Sequence, residues 1–129
     1  MKPAYQRTKR GYRKDLGFSV RSGWEANYAR YLKWRKEVGD IAGWEYEPDT
    51  FWFSEWYKRG TLSYLPDFKV TFLDGRIEYH EVKGFLTPKA KTQLKRMAKR
   101  YPGVKVELID SNRYYAVKKQ MRGLIKNWE

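Results

Sequence analysis

Apolar residues recur at helical spacing from Ser22 to Val38, where Trp24, Tyr28, Tyr31, Leu32 and Val38 share a stripe and Gly39 ends the run. The spacing predicts a first helix. After Gly43 the pattern becomes aromatic and β-prone, in Trp44-Glu-Tyr-Glu47 and Thr50-Phe-Trp-Phe-Ser54, separated by Pro48-Asp49. These runs read as strands, and Glu55 to Ser63 as a loop or an arm. From Tyr64 to Gly84 the chain reads as two strands around an Asp74-Gly75 turn. A second helix opens at Thr87-Pro88, a cap followed by proline at the first helical position, with Ala90, Leu94, Met97, Ala98 and Tyr101 on one face. Pro102-Gly103 stops it, and Val104 to Ile109 alternates like a strand. From about Asn112 a last helix carries Tyr114, Val117, Met121, Leu124, Ile125 and Trp128 on one stripe. Helix, strands, helix, strand, helix predicts an α/β fold with a mixed central sheet flanked by helices, in one domain at 129 residues.

Charge changes this picture first at the second helix. Its polar face carries Lys89, Lys91, Lys95, Arg96, Lys99 and Arg100 without one acid. Such cations repel one another, and a phosphate backbone relieves that repulsion. The whole chain has 28 Lys and Arg against 15 Asp and Glu, a net charge of +13. Interleaved aromatic residues and the lack of a long apolar segment favour nucleic acid over a membrane as the partner. Residues 1–17 hold Lys2, Arg7, Lys9, Arg10, Arg13 and Lys14 against Asp15, with Gly11 and Gly17 interrupting any helix. They read as a flexible basic arm, which either tracks a phosphate backbone or is a solvated tail, ahead of a single domain over residues 18–129. The candidate DNA contacts are Lys9, Arg10, Arg13 and Lys14 on the arm and Lys89, Lys91, Lys95 and Arg96 on the helix.

The absence of cysteine excludes disulfides and thiol chemistry, and the single histidine, His80, argues against a structural zinc site. His80 reads as a structural strand residue facing away from Glu81. The aromatics from Trp44 to Tyr57 read as core or interface rather than a base-stacking platform. No signal or lipidation pattern opens the chain, so a cytoplasmic location is expected.

The hairpin carries the chemistry. A two-residue turn at Asp74-Gly75 pairs Phe72 with Ile77 and Val70 with Tyr79, and sets Asp67 opposite Val82, pointing away from Glu81. A kink near Leu65-Pro66-Asp67 brings the two carboxylates together. So does a three-residue turn with Gly75 left-handed, which sacrifices the apolar pairing; the kink is the preferred expectation. Converging Asp67 and Glu81, with the Val82 carbonyl, suit Mg²⁺ and phosphodiester hydrolysis, and Lys83 is placed to position water and stabilise charge on the phosphate. Glu25 has a second reading, since Ser22-Gly-Trp-Glu25 is a capping box.

Pro66-Asp67, thirteen residues, then Glu81-Val82-Lys83 resembles the PD-(D/E)xK motif of the restriction-endonuclease-like nucleases. Ser22-Gly-Trp-Glu25, Glu45-Tyr-Glu47, Tyr64-Leu-Pro-Asp-Phe68, Glu81-Val-Lys-Gly84 and Arg100-Tyr-Pro102 resemble, in order, the endonuclease I type Holliday-junction resolvases of bacteriophage T-seven and its relatives. The similarity runs from about Ser22 to Ser111; the segment between Glu47 and Tyr64 and the last helix have no match. The resemblance implies a restriction-endonuclease-like core and a phage-encoded, metal-dependent nuclease. It further implies a homodimer with exchanged elements that resolves four-way DNA junctions. Glu25, Asp67, Glu81 and Lys83 become the catalytic set, Glu25 joins the metal ligands, Glu45 is an accessory acid, and Mn²⁺ is expected to substitute for Mg²⁺. The alternatives are a nuclease for flaps, mismatches or duplex, and a non-catalytic nucleic-acid-binding module.

Overall fold

A computed structural model describes residues 9–129. Lys2, Arg7 and the rest of the first eight residues lie outside it. The predicted arm is in part a hairpin: β1 (Gly11–Arg13) pairs antiparallel with β2 (Phe18–Val20). Two side chains pin it. Asp15 accepts two hydrogen bonds from the buried Arg30 guanidinium at 2.8 and 3.0 Å, and Arg13 pairs with Glu129 at 2.7 Å.

Helix α1 (Gly23–Glu37) follows, capped by the Ser22 hydroxyl, which accepts from the Glu25 N–H at 3.2 Å. Its apolar stripe packs on one face of a four-stranded sheet of order β3-β6-β7-β8, formed by Gly43–Tyr46, Phe68–Thr71, Ile77–Val82 and Val106–Ile109. The first two pairings are antiparallel and β7–β8 is parallel, so the sheet is mixed, as expected. The core on this side joins Trp24, Tyr28 and Leu32 to Phe68, Val70, Val82, Ile109 and Tyr114, and Trp24 stacks on Tyr114 with centroids 4.0 Å apart.

On the other side, β4 (Phe51–Trp52) and β5 (Ser63–Tyr64) form a separate two-stranded ribbon under helix α2 (Pro88–Arg100). Thr87 caps α2 with Pro88 at its first turn, and Phe53, Tyr64 and Met97 fill the second core. Ala98, placed by periodicity on the apolar face, is exposed. Helix α3 (Ser111–Gln120) is shorter than its apolar stripe predicted. Gly123 adopts φ +76°, which turns the chain, leaves Leu124 exposed and folds Trp128 back to within 6.1 Å of Tyr114. Among the described residues no helix is long and apolar enough to cross a membrane.

Candidate functional site

The register of the β6–β7 hairpin builds the site. Phe68 pairs with His80, Val70 with Glu78 and Thr71 with Ile77, which carries Asp67 directly opposite Glu81. The turn has three residues: Phe72 N–H donates to the Arg76 carbonyl at 2.8 Å, Gly75 N–H donates to the Phe72 carbonyl at 3.0 Å, and Gly75 sits at φ +88°. This overturns the preferred kink. Burial decides the outcome, because this register points Phe68, Val70 and Val82 into the α1 core, at the price of an exposed Ile77.

Each carboxylate is held by a backbone N–H of the facing segment. Asp67 accepts from the Val82 N–H at 2.8 Å, while the Asp67 N–H donates to Glu81 at 3.2 Å. Both are buried. Glu25, held on the first turn of α1, joins them, its carboxylate fixed by the Tyr46 hydroxyl at 2.7 Å. The cap and the site therefore use different parts of one residue, backbone N–H for the first and carboxylate for the second. Burial raises the pKa of all three acids, Asp67 well above its ordinary value, and the charges of Glu81 and Glu25 push Asp67 further.

Lys83 lies 3.8 Å from Glu81 and offsets part of that repulsion. The second offsetting cation was missed in the sequence. Arg21, just before the helix cap, spans Glu47 at 2.8 Å and Asp67 at 3.5 Å. Glu47 itself holds a left-handed φ of 50°, unusual for a residue with a side chain, and its N–H donates to the Asp67 carbonyl at 2.8 Å. Glu45, expected as an accessory acid, is exposed and pairs across the strand with Lys69, and the acid that lies beside the cluster is Glu47. Tyr64 was missed too. Its hydroxyl is buried beside Glu81, and burial together with the Glu81 and Asp67 charges raises its pKa.

A cleft of about 470 Å³ opens over Glu81 and Lys83, walled by Arg21, by residues 60–65 and by the start of α2, including Lys89 and Gln93. Lys89, Lys91 and Lys95 are exposed, as are Lys9, Arg10 and Lys14. Two expected DNA contacts are otherwise engaged. Arg13 is bound to Glu129, and Arg96 donates to the Arg59 and Thr61 carbonyls while covering the Tyr57 ring at 3.8 Å.

Among the described residues no three acidic or histidine side chains form a ready-made ligand cluster. A hard cation does not require one, since Mg²⁺ commonly takes one or two carboxylates with waters and substrate oxygens. Asp67 and Glu81 are the carboxylates available, and Val82 and Glu25 stand next to them. These are the residues that could hold a divalent ion.

His80 stays apart from this chemistry, as expected. It is buried on the α1 face between the Tyr28 hydroxyl at 2.6 Å and Glu78 at 3.1 Å.

No curated protein and no solved structure matches this chain. Residues 6–116 match the family described as "Protein of unknown function (DUF1064)", and the chain belongs to that family.

Proposed function

We propose that this protein is a metal-dependent, structure-selective DNA endonuclease with a restriction-endonuclease-like core, acting on branched DNA and above all on four-way junctions. The observation that carries the reading is the pairing of Asp67 with Glu81 across β6 and β7, with Lys83 beside Glu81 at the mouth of a basic cleft. Buried acids that raise one another's pKa are costly to a fold, and their clustering in a cleft marks a working site.

In this reading Asp67, Glu81, the Val82 carbonyl and Glu25 hold Mg²⁺, with Mn²⁺ as a substitute. Bound there, the ion supplies Lewis-acid polarisation of the phosphate and a more acidic water. The chain does the rest. The Val82 and Asp67 N–H groups fix the two carboxylates, and the Tyr46 hydroxyl fixes Glu25. Lys83 and Arg21 face the phosphate oxygens, whose negative charge grows as the water oxygen bonds to phosphorus. One phosphorus–oxygen ester bond breaks, and its oxygen leaves with a proton. Lys89, Lys91 and Lys95 receive the DNA backbone. A homodimer suits this work, because two symmetric cuts match two-fold symmetry in the protein.

The test compares a synthetic four-way junction with linear duplex of the same sequence, in Mg²⁺ and in chelator. Paired symmetric nicks on the junction alone, abolished by Glu81→Gln while junction binding persists, are expected. Junction binding by the unmodified protein without cleavage in any divalent metal would overturn the nuclease reading.

A further inference from the structure

The β1–β2 hairpin presents a face that the fold leaves unused. Val20 is buried, so strand alternation turns its neighbours Ser19 and Arg21 to the opposite side of the chain. Tyr12 pairs directly with Ser19 and shares that side. The adjacent pair turns inward: Phe18 stacks on Tyr46 with centroids 4.6 Å apart, and Arg13 binds Glu129. Tyr12 is 64 % exposed, and among the described residues neither its hydroxyl nor that of Ser19 makes a hydrogen bond. Arg21 carries the same face into the site, where it lines the cleft over Glu81 and Lys83 and reaches Asp67 at 3.5 Å. Two unused hydroxyls therefore lead along the hairpin to the candidate cutting site.

The hairpin is held in place at its turn. Asp15 accepts from the buried Arg30 at 2.8 and 3.0 Å, which withdraws its charge from the surface. It is the single acid in residues 9–21, against five Lys and Arg. Lys14, two residues beyond Tyr12, is exposed. Positive charge and free hydroxyl donors on a fixed ribbon fit a phosphate backbone. Ser19 and Arg21 stand about 7 Å apart along the strand, comparable to successive phosphates of one DNA strand. A second copy of this face is a poor occupant, because a two-fold contact would press one positive surface on another.

We propose that the outer face of the β1–β2 hairpin seats one fully paired arm of the four-way junction. The Tyr12 and Ser19 hydroxyls donate to phosphates next to the one at Arg21, and Lys14 neutralises a further phosphate. All these contacts are to the backbone, so they select shape and not sequence. This rests on the nuclease reading of the cleft and names the surface that receives an arm of its substrate.

The experiment measures binding of a synthetic four-way junction in chelator, so that no strand is cut, over a range of salt concentrations. Tyr12→Phe lowers affinity by about 3- to 10-fold at every salt concentration, because a neutral donor is lost and no counterion is involved. Lys14→Ala reduces the slope of log K against log salt by about 0.9, the share of one phosphate contact. Lys36→Ala, on the last turn of α1 and about 16 Å along that helix from Glu25, leaves both quantities unchanged. The chain has no cysteine, so Tyr12→Cys carries its one thiol, and an aryl azide attached there crosslinks to a paired arm beside the branch. Unchanged affinity of Tyr12→Phe, an unchanged slope for Lys14→Ala, or crosslinks to a second protein copy instead of DNA would each overturn the proposal. The two readings fail separately. Junction binding with these losses but without cleavage in any divalent metal sinks the nuclease and leaves the seat, whereas junction cleavage with unaltered affinity in both variants sinks the seat alone.

Discussion

Strand β7 carries two buried glutamates three residues apart, and they live in opposite electrostatic worlds. Glu78, on the α1 face, sits 3.1 Å from His80, 3.3 Å from Lys105 and 3.6 Å from Arg76. Burial alone would raise its pKa, but the His80 hydrogen bond and Lys105 take it below the ordinary value. Burial also lowers the His80 pKa, and the ring is held between Glu78 at Nε2 and the Tyr28 hydroxyl at Nδ1. Glu81, on the other face, looks across at Asp67 and has its pKa raised by burial. One acid is supplied with more positive charge than it needs; the others are short of it. The first arrangement is structural, and the second leaves three raised carboxyls with Lys83 and Arg21 beside them.

The sharpest way to break this contrast is to remove the lysine from each side. Lys83 lies 3.8 Å from Glu81 and Lys105 lies 3.3 Å from Glu78, so the two ion pairs look alike on distance. Lys83→Ala is expected to cut junction cleavage by about 10²–10³-fold, as removal of one group stabilising transition-state charge does. Lys105→Ala should leave the rate within about 2-fold. Equal rates for the two variants would end the distinction between the two faces.

Stability tests the same contrast with opposite signs. In chelator, the raised pKa of Asp67 means that its contribution to stability is fully present below the ordinary carboxylate range. That contribution is lost as pH rises through the raised value. The lowered pKa of Glu78 works in reverse: its contribution is present above the ordinary carboxylate range and is lost as pH falls through the lowered value. Asp67→Asn keeps an acceptor for the Val82 N–H and removes the buried charge, so it should raise Tm at neutral pH by roughly 3–6 °C, equivalent to about 1 kcal/mol. Glu78→Gln should lower Tm by a similar amount. Thermal melts in chelator from acid to neutral pH check both, and shifts of the same sign would contradict the argument.

The first two helices were legible because each announced itself twice, by spacing and by cap: Ser22 before α1, and Thr87 with Pro88 before α2. The acids and Lys83 were legible as residue types. What they could not reveal was the register that joins them, because Asp74-Gly75 also suits a two-residue turn. Arg21, Tyr46, Glu47 and Tyr64 act across elements, and no spacing within one element signals such contacts. The apolar stripe running to Trp128 misled for a related reason. Those residues do return to the core in part, but through the turn at Gly123 rather than along a helix.

Gly75 asks how strongly that register is held, and the expected effect is the smallest. Its φ of +88° makes Gly75→Ala cost about 1–2 kcal/mol. The turn could respond by tightening to two residues, which would slide Asp67 opposite Val82 and dissolve the site. Against this stand Phe68 and Val70, both fully buried against α1, together with the two backbone hydrogen bonds that interlock Asp67 and Glu81. A one-residue slip would turn this whole apolar set outward, a far larger loss than a strained alanine. Gly75→Ala is therefore expected to lower Tm while leaving cleavage per folded molecule within about 2-fold. A variant that melts normally but no longer cuts would mean that the turn, rather than the core, sets the alignment of the two carboxylates.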